Sequence, residues 1–456
     1  MEFLGPNYLI GNQTGLALFA GIKDLPIIDA HNHADVKAIW ENGNFGDIWQ
    51  AEAATDHYVW ECLRKRGVTE EFLTGKDRTN EEKWQALSEV FDELVGNPTY
   101  EWVHLDLKRL LGIDELICAE NGKLIWDKAK AALARPEMRQ QQMLQAMKVE
   151  VMCSTDDPVD SLEYHRKLAE AKCPVRVLPT FRPDKAMNIF KPDWREYIGK
   201  LEACVGTTFE SVLDLVAALQ ERHDYFAANG CVASDHGVEV PFAFDVEEED
   251  ADEIFRKAYA GHEIEDDEAV LFMSYLLNEV AEMDADKGWV FQLHIGAVRD
   301  VRDSLFDEIG PDTGGDISDH MTDIVTPLRD LLNRFDDRLD IVLYNLNPVH
   351  TGTLAQLTRA FGARVNLGLA WWLNDSPIGM KRQLEYVGSV DVLMNLAGMV
   401  SDSRKVPSYA SRHEMFRRVL ADVVGEMVER GQMPLPLAER LVRTLAYERP
   451  KQLFKL

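Results

Sequence analysis

The feature that most limits what this chain can fold into is a short apolar run that returns eight times along its length, with amphipathic helical stretches between. The runs fall at residues 27–33, 149–155, 175–181, 230–237, 288–296, 339–345, 364–370 and 392–402. Stretches such as "SLEYHRKLAEAK" and "HEMFRRVLADVVGEMVERGQ" carry the helical period. Strands that alternate with helices pair in parallel and are buried on both faces. Eight such units predict an α/β chain closed as a (β/α)8 TIM-type barrel. A doubly wound open sheet would show a Gly-rich turn after its first strand. None follows residue 33.

The spacing is uneven. Residues 35–147 separate the first two runs and read as helix after helix: "HYVWECLRKRG", "EEKWQALSEVFDELVG", "HLDLKRLLG" and "DKAKAALA". The predicted organisation is therefore 1–34, an N-terminal segment with the first strand; 35–147, a helical insertion or lid; and 148–456, the rest of the barrel with C-terminal helices. The acidic stretch "VEEEDADEIFRKAYAGHEIEDDEAV" after the fourth run reads as a solvated face.

Composition excludes some partners. The formal net charge of -29 argues against nucleic acid and against an anionic membrane surface. No apolar run approaches the length of about 20 residues that spans a bilayer. The N-terminus lacks the basic start of a secretory signal. Six scattered cysteines without a Cys-x-x-Cys suit a reducing compartment. The expected location is the cytoplasm.

In a barrel the C-terminal strand ends build the active site. The first run, "PIIDAHNHAD", puts Asp29, His31 and His33 on one face if the strand continues through residue 33. The later runs deliver Asp156, Arg182, Asp235 with His236, His294, Asn345, Trp371 with Trp372, and Asp402 with Arg404. Singly, an acid or amide at a strand end is a helix cap; so many at once make a site. His31, His33, His294 and Asp402 form an N/O ligand set suited to a divalent metal such as zinc. Arg182 and Arg404 suit a carboxylate, which guanidinium binds through paired hydrogen bonds. "TDHYVW" in the insertion brings His57 and Tyr58, either as a closing loop or as packing.

The histidine pair, the barrel and the Asp on the last run resemble the amidohydrolase superfamily. Longer strings resemble one branch of it, the uronate (glucuronate) isomerases: "DHYVW", "GNPTYEWVHLDLKRLLGI", "STDDPVDSLEYH", "PTFRPDKAMNI", "LHIGAVRD", "GPDTGGD", "LYNLNP", "WWLND" and "SDSR", in order along most of the chain. The chain departs from that pattern at Asn32, between the two histidines, and in the loop before His57. The resemblance implies interconversion of D-glucuronate with D-fructuronate and of D-galacturonate with D-tagaturonate. It places His31, His33 and Asp402 around the metal with His294 nearby. It places His57, Tyr58, Arg182, Asp235, Trp371 or Trp372, and Arg404 against the sugar or its carboxylate; with the chemistry below, Asp402, Tyr58, His57 and Arg404 are the expected catalytic set and Arg182, Asp235, His294, Trp371 and Trp372 the expected substrate contacts. The implied metal is zinc, without the implication that it is essential. The implied partner is a small sugar acid, and a homo-oligomer is allowed.

The chemistry agrees. Ring opening needs a base for a hydroxyl proton, for which Asp402 is placed. Hydrogen transfer between C2 and C1 needs a second acid/base, Tyr58 or His57. Two other readings compete. A hydrolase or decarboxylase of the same superfamily, in its binuclear form, wants a Lys at the end of the fourth strand, where "CVASDHG" has none. A non-catalytic sugar-acid binder has no need of so many converging acid/base groups.

Overall fold

In the computed structural model, which describes residues 2–369 and 371–456, seven of the eight runs are parallel strands. β1 (Ile27–Asp29), β2 (Val149–Cys153) and β3 (Arg176–Leu178) pair in that order. β4 (Ala233–Val238) and β5 (Val290–Ile295) begin the second sheet. A two-residue antiparallel ribbon, β6 (Ala297–Val298) with β7 (Ile317–Ser318), stands at the end of β5. β8 (Asp340–Asn345) and β9 (Val365–Leu367) complete the second sheet in the order β4-β5-β8-β9.

Hydrogen bonds outside these ladders join the sheets into a ring. Phe181 donates its amide to the Ala233 carbonyl and accepts from Asp235, linking β3 to β4. Ala397 donates to Leu367, and Leu369 to Gly398, linking β9 to the eighth run. Asp402 donates to the His31 carbonyl and His33 to the Ser403 carbonyl, which returns the circuit to β1.

Three expectations are corrected. The eighth run is not a regular strand: Leu393–Asn395 is a 3-10 turn, and only Met399 bridges, to Leu369. Its Gly398 has φ +98, which breaks an extended ladder. β1 stops at Asp29, so His31 and His33 follow the strand instead of lying in it. Asp29 does not join their face; it accepts from the Ser401 amide at 3.0 Å and from the Ser401 hydroxyl, fastening the eighth run to the wall. The seventh run was expected to end at Ala370, which lies outside the described residues.

The insertion is helical, from Val36–Glu41 to Gln140–Ala146. Side-chain caps start several of its helices: Asp47 for Ile48–Glu52, Asp56 for His57–Lys65 and Thr79, with Glu82 in a capping box, for Asn80–Ser88. It buries an apolar cluster of its own around Trp49, Leu63, Trp84, Phe91 and Trp126. The barrel wall and its helices share a larger core that includes Phe291, Leu343, Phe272 and Phe416. The helix Ser408–Glu429 packs against the N-terminal helix Gln13–Ile22. Among the described residues no helix is long and apolar enough to cross a membrane.

Candidate active site

The segment after β1 and the segment after the eighth run meet through their backbones, and this sets His31 and His33 beside Asp402. Asp402 Oδ1 lies 3.1 Å from His31 Nε2 and 3.3 Å from His33 Nε2. Asp402 adopts φ +51, a left-handed conformation that non-glycine residues seldom adopt. Its amide bond to the His31 carbonyl, and the His33 amide's bond to the carbonyl of the next residue, Ser403, hold it there. Its other oxygen, Oδ2, is 3.5 Å from the Tyr58 hydroxyl. The insertion thus reaches the barrel rim.

His31 faces a second carboxylate. Its Nδ1 is 3.2 Å from Asp235 Oδ2, and Asp235 Oδ1 is 2.6 Å from His294 Nδ1. These pairs are close, yet neither is angled as a hydrogen bond, so among the described residues the buried atoms have no hydrogen-bond partners. His294 Nε2, also buried, has no partner of either kind among the described residues. The expected ligand set therefore resolves into two groups that share His31: His31, His33 and Asp402 on one side, and His31, Asp235 and His294 on the other. Within each group the ligand atoms lie within 4.8 Å of one another. Asp235, expected against the substrate, sits mid-strand in β4 as the partner of two histidines.

The charges follow from burial and neighbours. Burial favours the neutral form of Asp402, but hydrogen bonds from His31 and His33 outweigh it and hold the carboxyl well below its usual range. Burial alone would lower His31; the charges of Asp235 and Asp402 win and raise it to about 9. Burial and then the proximity of His31 depress His294 to about 4. His31 thus holds a proton between two carboxylates, a place a divalent cation can take over, since metal binding displaces ligand protons. Two imidazoles and a carboxylate on an unsatisfied, buried patch fit a cation of the zinc class.

The aromatic and cationic residues surround this centre. His294 stacks on Tyr344, with ring centroids 4.3 Å apart, and meets Trp371 edge-on at 4.8 Å. A Cβ at Gly368 would overlap the Tyr344 ring, so this glycine makes room for the stack. His57 stacks on Tyr58 at 4.5 Å, and Trp372 stands edge-on to both. Burial, and then Arg404, depress His57 to about 4. Burial, and then the charge on Asp402, raise Tyr58 well above an ordinary phenol. Arg182 donates Nε to Asp184 at 2.9 Å and lies 3.6 Å from Asp235. A Cβ at Gly237 would overlap its guanidinium. Arg404 is the more open cation, its side chain 31% exposed and 3.7 Å from Asp312 on the loop before β7.

The contacts just described bring together the predicted metal, catalytic and substrate residues at one end of the barrel circuit, but not Asp156, His236 and Asn345: Asp156 accepts from the Ser154 hydroxyl, His236 pairs with the Ser234 hydroxyl, and Asn345 donates to the Asn347 carbonyl. Sequence reasoning passed over several others. Asp184 and Gly237 seat Arg182; Tyr344 and Gly368 seat His294. Arg299 lies over the Trp372 ring at 5.3 Å. Arg412, paired with Asp375, lies over Tyr58 at 5.2 Å and Trp102 at 3.8 Å. A buried arginine in a long helix, as in "ASRHEMFRR", was a usable signal, because buried charge demands a partner. Asn32, the departure between the histidines, is structural: its amide donates to the Cys153 carbonyl at 2.9 Å and its oxygen accepts from Ala34 at 3.2 Å.

Comparison with known proteins bears on this arrangement. The family model described as glucuronate isomerase matches residues 1–454. A uronate isomerase of Thermotoga neapolitana is 50% identical over 452 residues, covering 99% of each chain. The crystal structure of a uronate isomerase from Thermotoga maritima superposes with a TM-score of 0.97 at 50% identity over 100% of both chains. That of a glucuronate isomerase from Caulobacter crescentus gives 0.95 at 29% identity, over 98% of this chain and 96% of that one.

Proposed function

Because this chain belongs to the glucuronate isomerase family, we propose that it interconverts D-glucuronate with D-fructuronate and D-galacturonate with D-tagaturonate, an aldose–ketose isomerisation, at the end of the barrel where Asp402 lies. One observation supports the site above others: a single carboxylate, Asp402, meets two histidines through one oxygen and the Tyr58 hydroxyl through the other.

The sugar acid must first open. Asp402, ionised at neutral pH, takes the proton of the anomeric hydroxyl while the ring oxygen leaves C1 and is protonated. The open aldehyde then loses its C2 hydrogen as a proton while O1 gains one, giving an enediol; O2 loses a proton and C1 gains one, giving the ketose. The neutral His57 imidazole suits the accepting step and the protonated Tyr58 hydroxyl the donating step. Arg404 faces the developing oxyanion, and Arg182 grips the C6 carboxylate. His31, His33 and Asp402, with His294 nearby, would hold a zinc ion, whose contribution when bound is to polarise a sugar oxygen as a Lewis acid. Asp235 orients His31 and His294 from behind. Trp371 and Trp372 line the sugar's apolar faces.

We divide the chain as 1–34, 35–147 and 148–456, on the separate apolar cluster of the insertion. We place it in the cytoplasm, on its free, scattered cysteines.

The test is direct. Purified protein with D-glucuronate should form D-fructuronate, with deuterium entering C1 in heavy water. Absence of ketose from both uronates at saturating metal would overturn the reading. In parallel, His33→Ala should lose bound zinc by elemental analysis; unchanged zinc in His31→Ala and His33→Ala would make the pair structural.

A further inference from the structure

Three residues beyond Asp402 the chain turns Lys405 inward, beneath the insertion. The Lys405 ammonium is 2.8 Å from Glu52 Oε2 and 3.3 Å from Asp56 Oδ2, and it donates to the Glu52 carbonyl at 3.0 Å. Lys405, Glu52, Asp56 and the neighbouring Asp106 are all buried. Burial, and then the Glu52 charge, push the Asp106 carboxyl well up, so it stays neutral while burial of Asp56 is outweighed by Lys405 and it stays ionised. The acids come from the insertion and the lysine from the barrel rim. Exposed ion pairs give little order, but a buried one breaks only at high cost and therefore fixes geometry.

Asp56 uses its two oxygens differently. Oδ1 caps the helix His57–Lys65, accepting from the Tyr58 amide at 3.0 Å and the Val59 amide at 3.4 Å. Oδ2 faces Lys405. On the other side, the Ser403 hydroxyl donates to the Lys405 carbonyl at 2.9 Å and accepts from the Lys405 amide at 3.2 Å. The contacts close a ring: Asp402, through Ser403 to Lys405, to Asp56, to Tyr58, and back to Asp402 Oδ2.

We propose that Lys405 is a positioning residue for the isomerisation: by gripping Asp56 it sets where the Tyr58 hydroxyl stands relative to the Asp402 carboxylate. The inference rests on the part given to Tyr58 in the reading above. Lys405→Ala is a poor test, because it strands buried carboxylates. Asp56→Ser is better: serine still caps the helix but is too short to reach Lys405. Lys405→Arg is the second variant, keeping the charge and changing its reach.

Both variants are made in the native and in the Tyr58→Phe protein. Each is loaded with zinc, then assayed with D-glucuronate for kcat and KM, with bound zinc and thermal midpoint measured alongside. Asp56→Ser should lower kcat about 10- to 100-fold while KM and zinc content stay within about twofold, since displacing a catalytic group by about 1 Å costs that much. Lys405→Arg should lower kcat less. In the Tyr58→Phe background the loss should be much smaller, since only His57 remains to be displaced. An equal loss in both backgrounds, or an unchanged kcat with only the midpoint lowered, overturns the inference. Tyr58→Phe impaired with Asp56→Ser fully active sinks the inference alone. A fully active Tyr58→Phe sinks the role of Tyr58 and the inference with it.

Discussion

His294 stands one residue before the end of β5, in register with Gly237 of β4 on one side and Tyr344 of β8 on the other. His57 and Tyr58 stand in the first turn of a helix, held by a cap, a buried ion pair and ring stacking. In the wall, backbone ladders fix each Cα, and the side chain needs only a neighbouring ring or a gap to fix its rotamer. In the insertion the backbone is local to one helix, so its approach to Asp402 depends on side chains reaching across from the barrel. The wall suits groups that must not move, such as ligands to a cation. The insertion suits groups that must approach from outside the wall, as the proposed mechanism asks of His57 and Tyr58.

The comparison can be broken most severely at the point where the two regions touch. Asp402→Asn keeps shape but removes the basic oxygen; kcat should fall about 10³-fold or more, with bound zinc falling far less. Recovery of activity on adding excess metal would reduce Asp402 to a ligand and leave ring opening without its base. Next in size is Arg182→Lys, which keeps charge but not the fork held by Asp184. The loss in kcat/KM should be about 2–4 kcal/mol, as for truncating a buried charged pair. The same loss on a reduced, uncharged sugar analogue would rule out a carboxylate grip.

Smaller again is Gly237→Ala, which adds one methyl where the Arg182 guanidinium lies. Overpacking costs about 1–3 kcal/mol, and here it should appear mainly in KM, because the displaced group is Arg182. Normal KM with a lowered thermal midpoint would show that the wall yields elsewhere.

The smallest effect concerns Asp156, after β2. Its carboxylate accepts from the Ser154 hydroxyl at 2.7 Å, and burial raises it to about 7. A carboxyl whose folded value is raised holds its proton in the native state after the unfolded chain has lost it. Stability therefore falls as pH rises from about 4 to about 7, and levels off above that. Asp156→Asn should remove this slope, about 1 kcal/mol per pH unit between pH 5 and 6.5, in denaturant unfolding of both proteins. Parallel curves would show that this end of the wall carries no proton.

The sequence by itself determined the alternation of strands and helices, the place of the insertion, and nearly all of the polar residues that gather at the site. It did so because apolar period and polar run-ends are local patterns: "DAHNH", "QLHIG" and "SDSR" each show their chemistry within a few residues. What only the tertiary structure decided depends on distance and shape. The Gly398 break that keeps the eighth run from becoming a strand is a backbone conformation. Gly237 and Gly368 matter for the side chains that occupy their empty space. The division of the histidines between Asp402 and Asp235 is a matter of a few ångströms in a packed interior. Lys405 and Glu52 are 353 positions apart. Nothing local marks them as partners, because a buried ion pair is specified by the space the whole fold leaves for it, not by its neighbours along the chain.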